Sequence, residues 1–225
     1  VDWEAIRLSL VLAATTTAIL LVFGLPLAYW LAFTRWRFRF LAEAVVALPL
    51  VLPPTVLGFY VLLAIGPHSP LGRAYEAITG RLLPFSFGGL LLASVLYSLP
   101  FAVQPFAAAM SAVDRRLVEA AWCLGVSRAG TFARVIVPLA RPGIVTGMVL
   151  SFAHTLGEFG VVLMVGGNLA GRTRTASISI YDAVQALDYA AAGRTSLLLL
   201  ALSFAVLAVT YASQRSVWAV WPLRS

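Results

Sequence analysis

The chain contains no lysine. All sixteen of its basic residues are arginine, and it carries one cysteine and two histidines. Each shortage excludes a chemistry. Without lysine there is no Walker A loop, whose grip on phosphate depends on that residue, and no Schiff base. The lone Cys123 excludes an internal disulfide and any CxxC site. His68 and His154 are far apart in sequence, which argues against a metal cluster. Charge of either sign is scarce, at 11% of residues. Soluble domains carry about 25%. That leaves too little polar surface to keep a compact chain of 225 residues in water.

What the chain does have is apolar residues, 61% of the total, with a mean hydropathy of +0.93. They fall in runs nearly free of charge. A bilayer crossing needs about 20 such residues. Runs of that length predict five spans, at 8–34, 44–66, 87–110, 142–165 and 195–214. The fourth is interrupted by His154 and Glu158. The expected fold is an all-α integral membrane protein of about five transmembrane helices, with one transmembrane domain over 6–214 and no second domain. A further short external helix is expected from Tyr181 to Ala190.

The arginines are unevenly shared between alternate loops. Ten of the sixteen fall with the loops after spans one, three and five, and six with the others. Asp2, Glu4, Glu76, Asp182 and Asp188 dilute the poorer side further. Excess Lys/Arg marks the cytoplasmic face, so the N-terminus is expected outside and the C-terminus inside a bacterial cytoplasmic membrane. Tyr29, Trp30, Trp36, Trp218 and Trp221 lie at span ends, as interfacial rings do. A net charge of +7 can signal nucleic acid, but arginines scattered between apolar runs fit topology instead, and no nucleic-acid partner is expected.

The segment 114–138 is the most informative. Asp114 is placed to cap a helix, and Leu117, Ala120, Ala121 and Leu124 recur at helical spacing. Gly125 suits a left-handed helix end. Ser127 is placed to cap a second short helix, expected to stop before Pro138. Two short helices joined by a glycine turn suit docking on a protein, with Glu119 free to pair with a base there. They equally suit lying on lipid.

The order Glu119-Ala120-Ala121, then Gly125, then Val135, Val137 and Pro138 resembles the EAA loop of ABC importer permeases of type I. In that family the loop couples the membrane subunit to a cytoplasmic ATPase. The resemblance covers roughly Ile6 to Gln214. Three further stretches are most similar to the molybdate group of these permeases, which also includes sulfate and tungstate systems. They are Leu48 to Gly58, Leu156 to Gly160, and Gly167 to Thr175. Many relatives have Arg at the position of His154, so any role of that Arg is in doubt here. The resemblance implies two copies paired about a two-fold axis and a separate ATPase that binds ATP and Mg. It also implies an extracytoplasmic binding protein that delivers the oxyanion. No catalytic residue, metal or cofactor is expected in this chain. The cargo is expected to be molybdate, with sulfate, tungstate or another tetrahedral oxyanion as the alternative. A stand-alone transporter or channel would call for inverted repeats and several intramembrane ionisable groups, and the sequence has neither.

Candidate path residues follow from span chemistry. Pro53 and Pro54, followed by Thr55, interrupt span two near its middle, and Pro54 suits the first position of a restarted helix. The break either lines an anion path or is a packing kink. Glu158 is the only acid within a span and needs a partner. His154, one turn earlier, is the first candidate, with a neighbouring helix as the other. Gly157, Gly160, Gly166 and Gly167 thin that helix, for close packing or for a gate. Arg172 and Arg174 lie among threonines in an outer loop, where they either meet the binding protein or are simply solvated.

Overall fold

The computed structural model describes residues 1–218. Trp221, placed above at a span end, and Arg224, one of the ten arginines of the richer side, lie outside the described residues. Among the described residues every regular element is helical.

Helix α1 (Trp3–Phe33) is the first span. Asp2 starts it, its Oδ1 accepting from the Ala5 amide at 3.0 Å. The second apolar run forms two helices, α2 (Arg39–Val51) and α3 (Pro54–Ile65), bent by 114° at the break. The break falls where the sequence places it, with Pro54 as the first residue of the restarted helix, and it is far sharper than a packing kink. The cause is local. A proline pushes the residue before it out of the helical region. Here that happens twice in succession, so Leu52 and Pro53 are both extended, at ψ 135 and ψ 137. Two consecutive extended residues turn the chain; a single one would only kink it.

Helix α4 (Pro70–Thr79) was not anticipated. Its signals are present in the sequence. Ser69 caps it through the Gly72 amide, Pro70 begins it, and Gly80 closes it at φ 67. Helix α5 (Phe87–Ser111) matches the expected third span almost residue for residue. Helix α6 (Arg115–Cys123) is the first helix of the 114–138 segment.

Next come α7 (Arg128–Thr131), a π-helical turn (Phe132–Ile136) and α8 (Val137–Gly157). These join into one 30-residue helix that begins well before the expected start at 142. The second short helix thus does not stop before Pro138, as had been expected. The π turn explains why. The Val137 amide reaches back to the Phe132 carbonyl, so the widened turn ends just where Pro138 has no amide to offer. The fourth span ends at Gly157, and a separate short helix, α9 (Gly160–Gly166), follows. Helix α10 (Ala176–Gln185) lies earlier than the helix expected at Tyr181 to Ala190, and α11 (Tyr189–Trp218) is the last.

The main core lies between α1, α5 and α8, around Leu20, Leu31, Val103, Phe106, Met110, Ile136 and Ile144. A smaller one joins α3, α5 and α9 through Val61, Ile65, Ala93, Val161 and Val165. Apolar side chains such as Phe23, Val22, Phe204 and Val209 remain outside, as expected of helices solvated by lipid.

Candidate functional site

The two interrupted helices meet. A Cβ built on Gly160 would lie 2.7 Å from Cβ of Pro54, and one on Gly58 would lie 2.8 Å from Cβ of Met164. Only glycine permits that approach. The contacts advance in the same sense along both helices, so α3 and α9 run side by side from a shared starting level. Pro53, Pro54 and Thr55 are exposed. The fold therefore brings together three sequence candidates from the second apolar run and one from the fourth.

Glu158 does not bond to His154 or to a neighbouring helix. Its Oε1 accepts from the Val161 amide at 2.9 Å, so the acid caps the helix that follows it. The residue is 7% exposed. A helix N-terminus supplies partial positive charge and free amides, which offset the cost of an acid in a span.

His154 finds its partners on α5. Its Nδ1 lies 2.9 Å from Ser98 Oγ, and its ring stacks on Phe101 at 3.9 Å, with Tyr97 at 4.8 Å. Ser98 Oγ is 2.8 Å from Thr155 Oγ1, which donates to the Ser151 carbonyl. Each hydroxyl has one proton. Thr155 uses its proton on Ser151, so Ser98 donates to Thr155 and must accept from His154. The chain of bonds thus places a proton on Nδ1. Ser98, Tyr97 and Phe101 had not been tied to His154 from the sequence, because the pairing spans 56 residues. The same α5 face carries Gln104, which lines a cavity of ≈ 570 Å³ with Leu31, Arg39, Glu43 and Ser111. Arg39 and Glu43 pair at 2.7 Å on its rim.

At one end of the bundle lies the 114–138 segment. Asp114 caps α6 by accepting from the Arg116 amide, Ser127 caps α7 by accepting from the Gly130 amide, and Gly125 is left-handed at φ 78. All three follow the sequence reading. The apolar stripe is only partly as expected. Ala121 turns inward together with Val118, which is 4% exposed, while Leu117 and Leu124 stay 49% and 83% exposed. Glu119 and Ala120 are also exposed. Pro138 lies beyond the π turn, exposed on the helix surface.

At the other end Arg172 and Arg174 part company. Arg174 donates to Asn168 Oδ1 at 2.6 Å, and Asn168 donates to Asp182 Oδ2 at 2.6 Å. Arg172 is exposed, with no side-chain partner among the described residues. Asp2 accepts from Ser179, and Glu4 lies beside Gly171, so the N-terminus shares this end. Among the described residues no group of side chains could hold a metal ion.

The family model for the inner membrane component of binding-protein-dependent transport systems matches residues 9–218. The chain belongs to that family. This permease is 52% identical to the molybdenum transport system permease protein ModB of Azotobacter vinelandii, over 95% of each chain. It is 35% identical to the protein of the same name from Escherichia coli K12, over 82% of this chain and 80% of that one. Among solved structures, the permease matches the MetNI methionine ABC transporter with a TM-score of 0.75 at 16% identity, covering 96% of this chain and 95% of that one. That likeness supports the type I importer fold read from the EAA loop.

Proposed function

We propose that the chain is the membrane subunit of an ATP-driven molybdate importer. The exposed face of α6 carries the ATP-driven class: Leu117, Ala120 and Leu124 stand out from a short capped helix too small to need them in a core of its own. A cytoplasmic ATPase that holds ATP and Mg covers this face. The cargo follows from the names of the relatives that match nearly the whole chain.

The N-terminus lies outside and α6 inside, because the loops near α6 hold the larger share of arginine. Two copies pair through the open face that carries Pro53 and Thr55. There the start of α3 turns its amide end toward the anion, and Thr55, Gly160, His154 and Gln104 line its route. An extracytoplasmic binding protein docks at the opposite end, against Arg172. Selection of the anion rests with that protein, since the described spans offer no ring of cationic side chains.

Reconstitution of the chain with its ATPase and binding protein in proteoliposomes tests this reading. ATP-dependent uptake of molybdate, in preference to sulfate, is expected. Flux without ATP, or a preference for sulfate, would overturn it.

A further inference from the structure

A second concavity lies at the inner end of the bundle. It encloses ≈ 470 Å³ between the end of α1 and α6, and its lining includes Tyr29, Arg35, Arg115, Glu119, Trp122 and Arg128. Three arginines and a single acid thus line one cleft. None of the four takes part in an ion pair or side-chain hydrogen bond among the described residues. Such an excess of uncompensated positive charge around one cleft calls for an anion.

The depth of the cleft says which kind. Helix α1 ends at Phe33, and Arg35 follows two residues later. Trp30 and Trp36 pack together at the same level, with ring centroids 5.9 Å apart, and both are exposed. Indole rings mark the headgroup layer. Tyr29 also lines the cleft, its ring packed on Phe132 with centroids 5.1 Å apart.

The two faces of α6 separate this cleft from the ATPase. Arg115, Val118, Glu119 and Trp122 recur at i, i+3, i+4 and i+7 and line the cleft. Leu117, Ala120 and Leu124 occupy the opposite side of the helix. We infer that the cleft binds the phosphate of an anionic phospholipid headgroup from the inner leaflet, with the arginines as its donors and Trp122 and Tyr29 beside the glycerol. A bound lipid would brace α6 from behind while the ATPase engages its front.

The inference rests on the sidedness proposed above. Labelling Cys123, the only cysteine in the chain and an exposed one, with an impermeant maleimide tests that separately in intact cells and inverted vesicles. Labelling from outside would overturn the sidedness without touching a lipid preference measured in detergent.

The lipid site is tested by native mass spectrometry of the permease–ATPase complex in detergent. The complex is titrated with phosphatidylglycerol and phosphatidylcholine of identical acyl chains, with and without inorganic phosphate. Retention of phosphatidylglycerol about tenfold above phosphatidylcholine is expected. The triple variant R35Q/R115Q/R128Q should lose the preference. R35K/R115K/R128K should keep most of it, which separates lost charge from lost fold. Equal preference in the Gln variant, or none in the wild type, would overturn the site. Displacement of the lipid by inorganic phosphate would make it a free-anion site. Loss of the ATPase from the Gln variant with lipid retention unchanged would assign the arginines to the ATPase.

Discussion

At the end of the bundle proposed to lie outside, Arg174, Asn168 and Asp182 satisfy one another, whereas at the end proposed to lie inside, Arg35, Arg115 and Arg128 have no partner among the described residues. The same contrast holds for the backbone. The Leu169 carbonyl takes the amides of Arg172, Thr173 and Arg174, and buried Thr173 ties the loop to the Gly166 carbonyl at 2.7 Å. Helix α6, by comparison, holds only Val118 and Ala121 against the bundle. The outer loop completes itself. The inner segment is shaped by its own caps and glycine, and its surface is left for other molecules. Changes at the two ends should therefore fail in different ways, one in stability and the other in assembly.

The largest effect is expected from Gly125→Val. The residue sits at φ 78, where a branched side chain costs at least about 1–2 kcal/mol. Relief of that strain re-aims α6 away from the ATPase. Co-purification with the ATPase and ATP-dependent uptake should both fall to about a tenth or less, while the membrane bundle keeps its helical content by circular dichroism. Unchanged co-purification would mean that the turn does not set the docking face.

Next is Gly160→Val, which forces a side chain into Pro54. Overpacking costs about 1–3 kcal/mol. Uptake should fall about tenfold while ATPase binding survives, because the α3–α9 contact lies away from α6. If instead the ATPase is lost, the breaks and the docking end are one mechanical unit and the contrast between regions weakens. A smaller loss is expected at the cap within α9. Glu158→Ala removes the acceptor for the Val161 amide, worth about 1 kcal/mol. Glu158→Gln keeps an acceptor oxygen and should lose less. Thermal unfolding in detergent orders the three proteins, and equal midpoints would exclude the capping role.

The parts of this arrangement that could be read from the sequence are those fixed within a few residues. Asp114, Gly125 and Ser127 act on neighbours two to four positions away, so their roles were legible. The ends of α5 were legible for the same reason, since Ser86 caps it and charge returns just after it. The Pro53–Pro54 break and the restart at Pro54 were legible in the same way; the angle of 114° was not, because it depends on Leu52 and Pro53 both being extended. Helix α4 was overlooked, although Ser69, Pro70 and Gly80 announce it. The partner of His154 could not be read at all. One turn along the helix, Glu158 was the natural candidate, but the backbone breaks between them and turns the acid toward the Val161 amide. Only the packing of α5 on α8 brings Ser98 and Phe101 to the ring.

The smallest effects should come from the outer arginines, and they sharpen the comparison most. Both stand in the same short loop, and the sequence offers no ground for separating them. The fold does. Arg174 belongs to a partly exposed network, so Arg174→Gln should cost about 0.2–1 kcal/mol of stability. Uptake by the protein that remains folded should not change. The Arg172 side chain has no partner among the described residues, so Arg172→Gln should leave unfolding untouched. Its effect should appear as weaker binding of the delivery protein, about threefold at low salt and less as salt rises, because an exposed charge acts through a screened field. Titrating the reconstituted transporter with binding protein at two ionic strengths reads both variants at once. If Arg172→Gln lowers the unfolding midpoint and Arg174→Gln lowers the affinity, the roles assigned from the hydrogen bonds are reversed. The outer loop would then be an open surface like the inner one.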